Sequence, residues 1–258
     1  MSVQVSLSGL SFLVADASNR KAIGRWEHAF DSELTPEQVA DELMRQFDLR
    51  PILEGPFEEI KVIHCSELYS IVPSSLFDSR RASDYLKFNA RILAGDYLAH
   101  DEVSNTDLVS VYVPWVNINN LLFDKYGTFD YYHSVSLMLG YFCYLERAQE
   151  RTVAYVHSNR NRFDLMIFKG GKLQLCNTYP FRSSEDFVYF LLFALEQLDY
   201  SPENIPVVLC GDIEQDDERW ELLYTYIREL SFLERDLLNA VDDFPGPTHH
   251  QILLKLSL

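Results

Sequence analysis

Residues 152–212 read TVAYVHSNRNRFDLMIFKGGKLQLCNTYPFRSSEDFVYFLLFALEQLDYSPENIPVVLCGD. Val153–Val156 and Phe163–Phe168 are runs of strand formers, and Gly170-Gly171 makes a two-residue turn into Lys172–Thr178. Three antiparallel strands in succession are therefore predicted. Ser183 is placed to cap a helix in which Phe187, Phe190, Leu191, Ala194, Leu195 and Leu198 fall on one face at i, i+3, i+4, i+7, i+8 and i+11. Pro202 and Pro206 bracket the return. Val207–Cys210 is short and continuously apolar, as a strand covered on both faces requires. Gly211-Asp212 ends it, and Asp216 or Asp217 starts a second helix with Trp220, Leu223, Tyr224 and Ile227 on one face.

The first half repeats that order. Val3–Leu7, Leu10–Ala15 and Ala22–Phe30 read as three strands, with Ser18-Asn19 in the second turn. Thr35, Pro36 and Gln38 form a capping box with proline at the first helical position, ahead of Val39, Leu43, Met44 and Phe47. Ile60–Cys65 is the buried strand, and Ser66-Glu67 stands where the second half has Gly211-Asp212. The pairs Asn19/Gly170, Thr35/Ser183 and Cys65/Cys210 keep step, which predicts an internal duplication of a β-β-β-α-β-α unit. Between the repeats, Ser83–Leu93, Asn117–Tyr126 and Val135–Leu145 read as helices and Leu108–Val113 as a strand. This material is assigned to the first lobe, giving domains at 1–150 and 151–258, with no low-complexity linker between them.

Composition narrows the function. The chain has 258 residues, 22 Lys+Arg against 39 Asp+Glu and a net charge of −17. Neither half is basic, so a surface that displaces counterions from DNA or RNA phosphates is not expected, nor is adhesion to anionic lipid. There are only 10 glycines, and phosphate-cradling glycine loops are correspondingly scarce. The opening MSVQVSLSGLSFLVAD has no basic start and its apolar residues are broken by serines, unlike a secretory signal, which points to the cytoplasm. The longest apolar stretch, Phe187–Leu195, falls far short of the roughly 20 residues that span a bilayer, so no membrane insertion is expected. Cys65, Cys143, Cys176 and Cys210 are widely separated and are read as reduced, structural thiols.

Two tandem units of this order resemble the actin-like ATPase (ribonuclease H-like) fold shared by actin, sugar kinases and Hsp70. The chain as a whole is similar to a family of Bacteroidetes proteins with that fold and no established activity, and more distantly to the PilM-like and GspL-like cytoplasmic assembly proteins. In active members the turn after the first strand of each unit carries Asp-x-Gly. Its carboxylate holds Mg²⁺ through water, and its glycines let backbone N–H groups reach phosphate. Here the first turn reads Val5-Ser6-Leu7-Ser8-Gly9-Leu10, with serine in place of the carboxylate. Counting back from Asp164 and Phe168, which match the late Asp and closing Phe of the family motif, the second turn reads His157-Ser158-Asn159-Arg160-Asn161-Arg162. His157 takes the Asp position and the glycines have become Asn, Arg and Asn. The Gly-Gly pair that the family places near the adenosine is reduced to Gly211-Asp212. The resemblance thus implies a catalytically silent actin-like protein, without Mg²⁺ or another cofactor, acting as a binding or scaffold module for a protein partner.

The candidate cleft residues are Ser6, Ser8, Gly9, His157, Asn159, Arg160, Arg162, Gly211 and Asp212. His157, Arg160 and Arg162 suit an anion or nucleotide site built on guanidinium, and the same residues with Asn159 and Asn161 suit a solvated hairpin tip. The first option is the alternative function, a nucleotide- or anion-binding family member. No metal site is expected. His249-His250 precedes an expected terminal strand, where neighbours face opposite ways and cannot chelate together. Asp212, Glu214, Asp216, Asp217 and Glu218 read as the acidic start of a helix, and Asp242-Asp243 as a turn. No Ser/His/Asp elbow, Walker loop or HExxH pattern occurs. The aromatic-rich stretch from Pro114 to Tyr132 is read as core with a partner surface among its surplus tyrosines.

Overall fold

The computed structural model describes residues 1–87, 92–93, 95–234 and 249–258. Two compact units are present. The first holds Met1–Gly140 and Leu253–Leu258, and the second begins at Tyr141 and takes the remaining described residues up to Ile252. The expected boundary at 150/151 is replaced by one inside a helix, and the last six residues join the first unit.

In the first unit, β1 (Ser2–Ser6), β2 (Gly9–Ala15) and β3 (Ala22–Ala29) form the antiparallel meander. Helix α1 (Pro36–Leu49) follows, and β4 (Lys61–His64) returns parallel to β1. Both halves of the Thr35/Gln38 capping box are made, with Pro36 at the first helical position. Val39, Leu43 and Phe47 are buried against the sheet, whereas Met44, expected on the same face, is 44% exposed. Next come β5 (Tyr69–Pro73), α2 (Ala82–Leu86), β6 (Ala99–Glu102), β7 (Leu108–Tyr112), α3 (Val116–Tyr126), β8 (Asp130–His133) and α4 (Ser134–Glu146). β8 completes a sheet of order β3-β2-β1-β4-β8, and β5-β7-β6 make a separate antiparallel sheet. Of the helix expected over 83–93, only α2 lies in the described residues as helix.

The second unit has β9 (Thr152–Ser158), β10 (Arg162–Lys169) and β11 (Lys172–Pro180) as its meander, then α5 (Ser184–Gln197), β12 (Val207–Gly211), α6 (Glu218–Tyr226) and β13 (Leu230–Phe232). The order β11-β10-β9-β12-β13, with β9, β12 and β13 parallel, is that of the first unit. The Ser183 hydroxyl accepts the Asp186 N–H at the start of α5, and Phe187, Leu191, Ala194 and Leu195 are buried beneath it. The central strands are covered on both faces, and every residue from Val153 to Ser158 and from Phe163 to Phe168 is buried. Cys65 directly follows β4, its N–H on the Val5 carbonyl, and Cys210 pairs with His157 in β12, so both stand at the carboxyl end of a strand parallel to the first of its sheet. The shared topology fits the repeat without establishing descent by duplication. None of the four cysteines is in a disulfide.

Two expectations change at the chain end. The residues after His249-His250 form helix α7 (Ile252–Leu256), not a strand, and the histidines themselves sit in a turn. Asp242-Asp243 lies outside the described residues. Within the first unit the Ser257 hydroxyl donates to the Ser2 hydroxyl at 2.7 Å, with both residues buried.

Candidate functional site

The first candidate turn joins β1 to β2. Ser6, opposite Gly9 in register, donates its hydroxyl to the Gly9 carbonyl at 2.9 Å and accepts the Ser8 N–H at 3.3 Å. The Ser8 hydroxyl lies 3.2 Å from that of Ser6. The carbonyls of Leu7 and Ser8 accept N–H groups from Leu34 and Phe30 at 2.9 and 3.0 Å. Ser6, Ser8 and Gly9 are thus brought together, but as a turn that satisfies its own polar atoms. A Cβ on Gly9 would stand 2.9 Å from the His28 carbonyl oxygen, so this glycine serves the close approach of β3.

The second candidate turn joins β9 to β10 and closes through the Asn159 N–H on the Arg162 carbonyl at 2.9 Å. His157 sits directly across the ladder from Asp164, with Nδ1 3.1 Å from Oδ2, and both side chains are 5% exposed. The other carboxylate oxygen of Asp164 accepts the Thr178 hydroxyl at 2.6 Å. Burial pushes the Asp164 carboxyl up. The hydrogen bond and charge of His157, the charge of Arg162 and the Thr178 hydroxyl outweigh it and hold the carboxyl below its usual range. His157 therefore points into the sheet layer, with the Asn159 amide 3.4 Å from its Nδ1. Arg160 is exposed at the tip and Arg162 half-buried at the start of β10.

Gly211 has φ 89°, and a Cβ there would lie 2.2 Å from the Ser158 carbonyl oxygen. Only glycine fits. Its N–H donates to the His249 carbonyl at 2.8 Å, and the Asp212 N–H donates to the Ser158 carbonyl at 2.7 Å. These bonds place Gly211 and Asp212 against Ser158, beside His157 and Asn159.

What joins them is a residue that the sequence reading passed over. Arg219, in the first turn of α6, donates to the Ser158 hydroxyl at 2.8 Å, the Asn159 carbonyl at 3.4 Å and the Asp212 carbonyl at 2.8 Å. Its guanidinium also pairs with Asp217, the N-cap of the same helix, whose carboxyl it holds below the usual range against the opposing effect of burial. The rings of Phe181 and Phe187 lie 5.7 and 5.8 Å beneath it. Its partners on the β9–β10 turn are some sixty positions away, with a separation of 61 residues to Ser158, so no local pattern announces them. Chemically, the arrangement is a carbonyl-rich pocket filled by the protein's own cation.

Elsewhere in the first unit, Trp115, Tyr126, Phe129 and Tyr131 pack against the core, while Val116 and Phe123 are 40% and 58% exposed. A groove of about 820 Å³ on this unit is lined by residues including Asp16, Arg20, Lys61 and Leu258. Ser6 and Ser8 do not line it.

A profile of a protein family described as "Protein of unknown function (DUF3822)" matches residues 1–230. The chain belongs to that family. Among solved structures it is similar to a protein from Bacteroides thetaiotaomicron with an actin-like ATPase fold and unknown function, at 18% identity and TM-score 0.83, over 99% of this chain and 93% of that one. It is also similar to a chain of a PilM–PilN type IV pilus biogenesis complex, at 12% identity and TM-score 0.61, over 93% of this chain and 88% of that one. No curated protein matches. This DUF3822 chain accordingly has the actin-like ATPase fold. No helix among its described residues is long and apolar enough to cross a membrane.

Proposed function

We propose that this DUF3822 protein is a cytoplasmic, non-hydrolysing member of the actin-like group that acts by binding a protein partner. Arg219 carries the reading. It occupies the Ser158 hydroxyl and the Asn159 and Asp212 carbonyls, at the turn where the resemblance puts the phosphate contacts of active members, and it arrives already paired with Asp217. The first turn supports the same view. The N–H of Ser8 is taken by Ser6, and no carboxylate stands in Ser6–Gly9 to hold a hydrated Mg²⁺. A fold that has lost nucleotide chemistry retains its surfaces, and the PilM–PilN complex is an instance of this fold assembled with a protein.

The test is phosphate release and thermal shift with Mg²⁺-ATP on the purified full chain. The expected result is no release above a protein-free blank and no nucleotide-dependent change in melting temperature. Turnover that disappears in Arg160→Ala/Arg162→Ala would replace this reading with the nucleotide-binding alternative.

A further inference from the structure

The carboxyl end of β12 gathers a second set of side chains, one the sequence reading set aside. His249 is fixed by its backbone, whose carbonyl accepts the Gly211 N–H at 2.8 Å, and by its ring, which lies flat on Phe232 with centroids 4.1 Å apart. Nε2 of that ring is 3.0 Å from the Ile213 carbonyl. The His250 ring stands at 84° to it, 4.5 Å away. Glu214, three residues beyond Gly211, comes up beside them. One ligand atom from each of Glu214, His249 and His250 lies within 4.8 Å of the others. These histidines occupy a turn, where neighbouring side chains are not held on the opposite faces of a strand.

Three observations separate this group from an ordinary polar cluster. Nε2 of His250 is 3.0 Å from Glu214 Oε1, yet it is shielded from solvent and makes no hydrogen bond. At that distance a protonated ring nitrogen is attracted to the carboxylate, and a cation in the proton's place would be held by the same two atoms. Next along the chain, Gln251 holds φ 50° with both amide atoms inaccessible and unpartnered, an uncommon backbone state for a residue with a long side chain. Finally, the Ile213 carbonyl holds the His249 ring in one orientation, as outer contacts ordinarily do for ligating imidazoles.

We propose that Glu214, His249 and His250 bind a divalent transition-metal ion, with Zn²⁺ the best fit. Two imidazoles and one carboxylate suit a borderline cation in a four-coordinate site with one open position, whereas Mg²⁺ and Ca²⁺ require mostly oxygen ligands. The ion ties the segment entering α7 to the loop between β12 and α6.

The experiment uses the untagged full chain, stripped with chelator and titrated with ZnCl₂ by calorimetry. One Zn²⁺ per chain is expected. Glu214→Gln and His250→Ala should each weaken it by at least the ~10- to 100-fold that loss of a mere outer-shell partner costs. Zn²⁺ should raise the melting temperature of the parent chain and not that of either variant. Absence of binding, or binding unchanged in Glu214→Gln, overturns the proposal. The Glu214 side chain is 49% exposed, so that variant is expected to fold and to decide the matter even if His250→Ala does not.

Discussion

Arg219 donates to the Ser158 hydroxyl at 2.8 Å from an element that begins 60 residues later in the chain. The guanidinium is 13% exposed and its Asp217 partner 23%. Arg219→Ala would leave that carboxylate without its guanidinium partner and remove the guanidinium donor to the Asp212 carbonyl. A loss of about 2 kcal/mol in urea unfolding is expected, reduced from the fully buried case by partial solvent screening. Arg160→Ala, at the exposed tip, should change stability by no more than about 0.5 kcal/mol. Equal effects would remove Arg219 from its role as the clasp of the turn.

His64 gives a pH signature. It is fully buried, its Nε2 2.9 Å from the Asn119 side-chain oxygen, and burial pushes its pKa down to about 4 from an ordinary 6.5. Above about 6.5 neither folded nor unfolded chain carries the proton, so no penalty arises. As pH falls from there toward 4 the unfolded chain is protonated and the folded one is not, and stability drops by about 3 kcal/mol in total. His64→Gln should abolish that component, read as the difference between the two unfolding curves across the window.

Two glycines should respond oppositely. Gly211→Ala puts a Cβ 2.2 Å from a carbonyl oxygen at φ 89°, and a loss of about 3 kcal/mol or more is expected, seen as a depressed melting temperature or insoluble expression. Gly140 sits inside α4, where an added Cβ meets nothing nearer than 3.5 Å. Gly140→Ala should stabilise by about 0.8 kcal/mol through helix propensity.

Thiol labelling provides a fourth check. Cys65 and Cys210 are buried, and burial pushes the Cys143 thiol up to about 11. A disulfide reagent at neutral pH should therefore modify Cys176 first and reach Cys65 and Cys210 only on unfolding. Rapid labelling of Cys210 in the native protein would mean that β12 is not held as described.

What the sequence disclosed was what neighbours in the chain decide. The Thr35/Gln38 box, the Ser183 cap and the apolar run Val207–Cys210 depend on residues within a turn or two; both caps stand where they are read, and β12 runs one residue further, to Gly211. β8 and β13 were invisible because four- and three-residue strands acquire their identity only from pairing with β4 and β12. The end of the chain misled for a related reason. Ile252, Leu253 and Leu254 are buried in succession, so the segment shows neither a two-residue nor a 3.6-residue period. Lys255 beside them is buried too, and burial pushes its pKa down to about 8. Of the candidate site, the residue types at the two turns were legible. The clasp on the second of them was not, since Arg219 meets Ser158 and Asn159 through tertiary packing alone.

The Ser2–Ser257 hydrogen bond bears on the order of events in folding. Its two residues are 255 positions apart, so this contact with β1 carries a large loop-closure cost. Strands β9, β10 and β11 pair with immediate neighbours and form a low-contact-order nucleus. The unit that comes second in the chain should therefore mature first. Pulsed hydrogen exchange during refolding is expected to protect β9–β11 amides before those of β1, and the reverse order would show that the first meander closes without waiting for the Ser257 contact.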